Sequence, residues 1–294
     1  MEESLPPGAS ERRLPTSRGT LRLLHAGAGQ GAPVLLIHGG GSDNAAISWF
    51  RLIAPLAREH EVWAPDLPGF GGSIDLEPVG GPEAMADLVA EIVDRLGLDP
   101  VVAFGVSMGG DVALNLALRH PQRLRGLVLI APGGLAARVG GPVTHTLAWL
   151  AAQAPDWLLF PMARLANRFV KTALRAMVKD PASLPPGLVE AFAREARHPR
   201  GGIAYGRYNQ ATLGRRGLLN DLSGRVHEIA VPTLIVHGED DPVVSPDNSR
   251  RAAARMPNAR LVLIPNCGHW AQLEAHDRFL AELEPFLSAL DPRA

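Results

Sequence analysis

Residues 101 to 120, VVAFGVSMGGDVALNLALRH, constrain the fold more than any other stretch of the chain. Val101, Val102 and Phe104 read as a strand, Gly105-Val106-Ser107-Met108-Gly109 follows at once, and Val112, Leu114, Leu116 and Leu118 open a helix. A strand that turns into a helix within so few residues brings two backbones together, and Gly105 and Gly109 remove the side chains that would collide. In that context Ser107 is lifted above the strand end at a helix N-terminus, the setting in which G-x-S-x-G marks a nucleophile. The same residues allow a plainer role, with Ser107 only capping the helix.

The flanking sequence repeats the alternation. Strand-like runs at 20–27, 34–37, 62–64, 124–131, 231–237 and 260–264 are separated by helical spacing at about 47–58, 83–96, 246–256 and 276–290. Strands and helices in turn predict an α/β fold with a mostly parallel central sheet flanked by helices. Between Pro132 and about Val226 the strands stop, and helical periodicity is punctuated by Gly133-Gly134, Gly140-Gly141-Pro142, Pro185-Pro186-Gly187 and Gly201-Gly202. This reads as a helical insertion over 133–225, dividing a core of 19–132 and 226–294, with residues 1–18 as a flexible polar tail.

With 29 basic and 30 acidic residues the net charge is −1, which argues against nucleic acid or an anionic membrane as a general partner. A small-molecule substrate is the expected partner. Cys267 is the sole cysteine, so neither a disulfide framework nor a cysteine-built metal site is expected, and no cofactor is implied. The N-terminal MEESLPPGASERR lacks the basic start and apolar core of a signal peptide, so a cytoplasmic protein is the expectation.

In open parallel sheets, chemistry sits at the carboxyl ends of the strands. Here those ends carry Ser107, then Gly238-Glu239-Asp240-Asp241-Pro242, then Pro265-Asn266-Cys267-Gly268-His269-Trp270. A serine hydroxyl is a poor nucleophile until a base takes its proton, a role assigned to His269. Asp241 would hold the imidazole tautomer and stabilise its cation. The backbone N–H groups of Met108 and of Gly40, in the run His38-Gly39-Gly40-Gly41-Ser42, are placed to hold an oxyanion.

The set HGGGS, DLPGFGGS, GVSMGG, GEDD and CGHW, in this order from about residue 20 to the C-terminus, resembles the α/β-hydrolase fold superfamily. The resemblance implies a Ser107–His269–Asp241 triad, with Asp241 rather than Asp240 as the acid, and makes 133–225 a lid over the pocket. His38-Gly39-Gly40-Gly41, Leu129-Ile130-Ala131-Pro132-Gly133-Gly134-Leu135 and Cys267-Gly268-His269-Trp270-Ala271-Gln272 are similar to the meta-cleavage-product hydrolases, which cleave carbon–carbon bonds in vinylogous diketones. The chain departs from that branch at Val106, where asparagine is usual, at Ser42-Asp43-Asn44, and at Ala191, aligned with a substrate-gripping arginine. What this implies is a serine hydrolase of a small to medium apolar carbonyl compound, an ester or a diketone. A ligand receptor on the same fold is the alternative.

Gly39, Gly41, Val106 and Trp270 are further candidates for substrate contact, Trp270 equally for packing. His38 reads as a brace for the glycine loop, His237 as core or support, and Cys267 as packing. In the insertion Arg164, Arg168, Lys171 and Arg175 fall at helical spacing, as an anion grip or a solvated face, with Leu165, Phe169 and Ala173 expected to turn inward.

Overall fold

Strands β3 (Val34–Ile37), β5 (Val101–Val106), β6 (Leu124–Ile130) and β7 (Thr233–Gly238) carry apolar runs because both of their faces are covered, as in a parallel sheet flanked by helices. The computed structural model describes residues 5–29, 31–98 and 100–290. With β1 (Ser10–Thr16), β2 (Gly19–Ala26), β4 (Val62–Pro65) and β8 (Ala259–Ile264), these strands form one eight-stranded sheet in the order β1-β2-β4-β3-β5-β6-β7-β8. The β1–β2 and β2–β4 pairs are antiparallel and the others parallel.

Side chains alternate across this sheet with a period of two. Val34, Leu36, Val102, Phe104, Val128 and Leu234 enter one core, while Leu35, Ile37, Val101, Ala103, Leu127 and Leu129 enter the other. The chain-ordered helices are α1 (Ala45–Ser48), α2 (Ile53–Leu56), α3 (Pro82–Leu96), α4 (Met108–Arg119), α5 (Pro142–Ala152), α6 (Asp156–Asn167), α7 (Val170–Met177), α8 (Leu188–Arg197), α9 (Ile203–Thr212), α10 (Pro246–Ala253), α11 (Ala271–Glu274) and α12 (His276–Leu290). Helices α3, α4 and α10 cover the second core, and Phe279, Leu283 and Leu287 of α12 close the first. Helix α3 starts with Pro82 and stops at Gly97, whose φ of 66° supplies the left-handed C-terminal turn. Helices α5 to α9 all lie between β6 and β7.

Two expectations are corrected. Residues 10–16, assigned to a flexible tail, form β1, paired with β2 from Ser10↔His25 to Thr16↔Gly19; residues 1–4 of that tail lie outside the described part. An edge strand needs only backbone partners on one side, so SERRLPT carries no apolar signature. The single helix expected over 47–58 is two short ones, α1 and α2, separated at Trp49 to Leu52.

Candidate active site

The turn after β5 has the form its glycines imply. Ser107 sits at φ 53° and ψ −116°, a region an L-residue occupies only when its surroundings enforce it. They do so through contact: a Cβ on Gly105 would strike the Gly109 carbonyl, and one on Gly109 would strike the Ile37 and His38 carbonyls. The Ser107 carbonyl accepts from the N–H groups of Gly110, Asp111 and Gly133, at 2.9, 3.2 and 2.8 Å. Its side chain makes no capping bond, so the hydroxyl is not spent on the helix.

The ends of β7 and β8 bring the other two residues together. His269 Nδ1 lies 2.7 Å from Asp241 Oδ2, and both side chains are buried. Facing an ionised carboxylate, Nδ1 carries the proton and Nε2 is left as the basic nitrogen; among the described residues Nε2 holds no hydrogen bond. The Ser107 hydroxyl likewise holds none among the described residues, so the serine and the histidine are not directly bonded in this state. Asp240 turns outward, 3.7 Å from Lys179 Nζ.

A second histidine joins the acid. His237 Nε2 is 3.0 Å from both Asp241 Oδ2 and the Val244 carbonyl, and its Nδ1 is 2.8 Å from Ser249 Oγ. Both groups facing Nε2 are acceptors, so Nε2 bears the proton and the serine donates to Nδ1. The other carboxylate oxygen of Asp241 accepts from Val243 N–H at 2.7 Å and Val244 N–H at 3.0 Å. Burial opposes the charge, but donation from His237, His269 and the backbone outweighs it and holds the Asp241 carboxyl well below the usual carboxylate range.

The glycine loop after β3 is braced from beneath. His38 Nε2 accepts from Leu67 N–H at 3.1 Å, so its Nδ1 carries the proton and donates to the Gly39 carbonyl at 2.7 Å. Burial lowers the pKa of this imidazole, which fits a brace and not a proton carrier. Asp43 takes the Gly39 N–H at 3.0 Å and the Ser48 hydroxyl at 2.5 Å, and burial pushes its carboxyl up to about 7. The Gly40 N–H is left uncommitted among the described residues, as is that of Met108, the first residue of α4. A Cβ on Gly40 would lie 3.3 Å from Met108 Cβ, so the two candidate oxyanion donors are neighbours.

The remaining candidates do not line the cavity that reaches Ser107. Gly39 is tied to Asp43, Val106 is buried in β5, and Gly41 lies under Phe192, which also packs on buried Trp270 with ring centroids 5.7 Å apart. A cavity of about 1180 Å³ reaches Ser107 and Met108 from the other side, between the Pro132–Gly140 loop, α5, α9 and the segment after Asp241. Helix α9 faces it with Tyr205, Tyr208, Asn209 and Thr212, a polar set at i, i+3, i+4 and i+7 that the sequence reading missed although its spacing was visible. The Tyr205 ring covers Gly40 and stacks on Tyr208, 5.7 Å between centroids at 9°. Tyr208 in turn donates to Asp111 at 2.6 Å, and burial raises the Asp111 carboxyl to about 6.

The insertion is fastened to the histidine loop. His269 N–H donates to the Met177 carbonyl at 2.8 Å, and Glu274 accepts from the N–H groups of Gly268, Lys179 and Asp180 at 2.8, 2.7 and 2.9 Å. The Cys267 thiol, buried and facing Glu274, Asp241 and Asp240, is pushed up to about 12, which removes it as a nucleophile. The basic stripe is corrected. Arg164 lies on α6, Lys171 and Arg175 on α7, and Leu165, Phe169 and Ala173 are exposed instead of inward-facing.

Residues 32–276 match the family model described as the alpha/beta hydrolase fold. A 2-hydroxy-6-oxo-6-phenylhexa-2,4-dienoate hydrolase of Burkholderia cepacia is 34% identical over 261 residues, 86% of either chain. A 2-hydroxymuconate semialdehyde hydrolase of Pseudomonas putida is 34% identical over 280 residues, covering 90% of this chain and 89% of that one. Among solved structures, the 2-hydroxy-6-oxo-6-phenylhexa-2,4-dienoate hydrolase of Rhodococcus sp. strain RHA1 superposes with a TM-score of 0.76 at 25% identity, covering 95% and 99% of the two chains.

Proposed function

We propose, for a chain that belongs to the alpha/beta hydrolase fold family and is a hydrolase, that Ser107, His269 and Asp241 cleave a carbonyl compound beneath the helical insertion acting as a lid. The observation that carries this reading is the Asp241–His269 hydrogen bond at the ends of the two strands beyond the Ser107 turn, which leaves Nε2 as the available base. His269 takes the proton as Ser107, or a water it directs, attacks the substrate carbonyl. The Gly40 and Met108 N–H groups receive the negative charge that develops on oxygen, and loss of one such donor costs ~10²–10³ in turnover. His269 then returns the proton to the leaving group, and where Ser107 was the attacking atom a water that gives its proton to His269 releases the acyl group from the serine as a carboxylic acid.

The relatives named above are hydrolases of dienoates and of 2-hydroxymuconate semialdehyde, so cleavage of the carbon–carbon bond of a vinylogous diketone is the first reading for this chain. There His269 first assists ketonisation; after attack on the ketone the bond's electron pair passes into the neighbouring unsaturated carbonyl, which is then protonated. A second reading, ester hydrolysis, is favoured by the departures from the meta-cleavage-product pattern at Val106 and Ala191, which put apolar residues where that branch carries asparagine and arginine.

Turnover of a panel of 2-hydroxy-6-oxo-dienoates and of short and medium acyl esters separates the two. The first reading expects kcat/KM for at least one dienoate to exceed that of every ester, with Ser107→Ala abolishing both. Esters alone being turned over supports the second, and turnover unaffected by Ser107→Ala contradicts both.

A further inference from the structure

The insertion differs from the rest of the chain in its charge and in what it leaves uncovered. Residues 133 to 225 hold 13 Lys and Arg against 5 Asp and Glu, whereas the remainder holds 16 against 25. The overall −1 is therefore the sum of a part at +8 and a part at −9. Large apolar side chains also stand exposed on this basic part. Along α5 they are Val143 (74% exposed), Leu147 and Leu150, at i, i+4 and i+7. Along α6 they are Leu158, Met162 and Leu165, with Trp157 at 76% before them and Phe169 at 66% just beyond.

Single exposed apolar residues are ordinary, but a set following one face of each of two helices marks a surface that is covered in use. Its neighbours say by what. Arg164 and Arg168 are exposed in the same stretch of chain and Arg175 is exposed on α7, and Arg168 and Arg175 hold no ion pair among the described residues. An apolar, aromatic face rimmed with arginine is the composition of a helix that lies in a membrane interface. Each Lys or Arg near an anionic bilayer adds to the attraction. A symmetric pair of copies would instead set one strongly basic part against another. No helix among the described residues is long and apolar enough to cross a membrane, so such a contact is peripheral.

The cavity lies behind α5. Helix α5 turns Ala148, Ala151 and Ala152 to the cavity and its apolar stripe outward, and the cavity wall includes exposed Val139 and Val243. We propose that α5 and α6 dock on an anionic lipid surface, with Trp157 and Phe169 at headgroup depth and the neighbouring arginines on the phosphates. The docking holds whichever carbonyl compound the cavity takes.

The test is co-sedimentation of the full chain with vesicles of phosphatidylcholine alone and of phosphatidylcholine mixed with phosphatidylglycerol. The protein should pellet with the anionic vesicles and not with the neutral ones, and added salt should release it. Trp157→Glu combined with Leu147→Glu, and separately Arg168→Glu combined with Arg175→Glu, should each cut the bound fraction about tenfold or more. Both pairs should leave turnover of a soluble substrate unchanged without vesicles, which shows that they fold and separates this test from that of the reaction. The proposal is overturned if the anionic vesicles leave the protein in solution, if folded variants bind as the parent does, or if the parent is a dimer that Trp157→Glu splits while neither form binds lipid.

Discussion

At the scale of single residues, the Asp241 carboxylate is the shared partner on which the proposed site turns. One of its oxygens serves two histidines, with His269 Nδ1 at 2.7 Å and His237 Nε2 at 3.0 Å. His237 cannot reach the substrate through that contact, so it acts as a positioning residue that fixes the carboxylate and takes up part of its charge. Removing this donor leaves a buried acceptor with one partner fewer, a change worth about 1–3 kcal/mol. His237→Ala should lower kcat by roughly 10-fold on that basis, with KM little changed. The sign of the pH effect follows from charge. With less donation the carboxylate stabilises the His269 cation more, so the acid limb of the kcat/KM profile should move to higher pH. Asp240, Cys267 and Glu274 face the same loop and remain in place. A uniform loss of activity with an unmoved profile would reduce His237 to a packing role.

Ser107, Asp241 and His269 could be picked out because strand-end position and motif order name them without reference to packing, and the structure brings Asp241 and His269 together. His237 was not. It precedes the strand-end glycine in a fully buried strand, where sequence alone does not distinguish a core histidine from one turned to the acid. The polar face of α9 went unread for a related reason: Tyr205, Tyr208, Asn209 and Thr212 show helical spacing, but whether that face meets solvent or a cavity depends on how the insertion packs.

At the scale of elements, the loop bearing His269 is shared property. Its Gly268 and His269 N–H groups are held by Glu274 and by the Met177 carbonyl at the end of α7, and Glu274 also gathers Lys179 and Asp180. One carboxylate thus ties the insertion to the His269 loop. Glu274→Ala leaves three N–H groups without this acceptor, so the loop should loosen and the rate of Ser107 acylation should fall about 10-fold or more, read by stopped-flow with an activated ester. An acylation rate equal to the parent's would show that the loop holds its shape without the tie. The alternation of strands and helices was legible throughout the core because buried parallel strands leave continuous apolar runs. Exposed β1 left no such mark, and the break between α6 and α7 fell at Arg168 and Phe169, where neither proline nor glycine announces it.

At the scale of the whole molecule, charge and cavity belong together. Counting residues over the entire chain averages a basic insertion and an acidic core to near neutrality, which is why the sequence reading set a lipid surface aside. The division follows from the 133–225 bounds that the sequence itself marks. Between these parts lies a cavity of about 1180 Å³ ending at Ser107. Its size could not be read from the sequence, because it is set by how α5, α9 and the Pro132–Gly140 loop pack against the segment after Asp241.

The claim on which this account rests is that the hydroxyl at the cavity floor becomes a nucleophile through His269. The most direct measurement is labelling of the intact protein with a fluorophosphonate, followed by peptide mass spectrometry, in the parent and in His269→Ala. The account predicts a single adduct on Ser107 in the parent and labelling slowed about 10³-fold or more in the variant. Absence of an adduct on Ser107, or equal labelling rates in the two proteins, would contradict it.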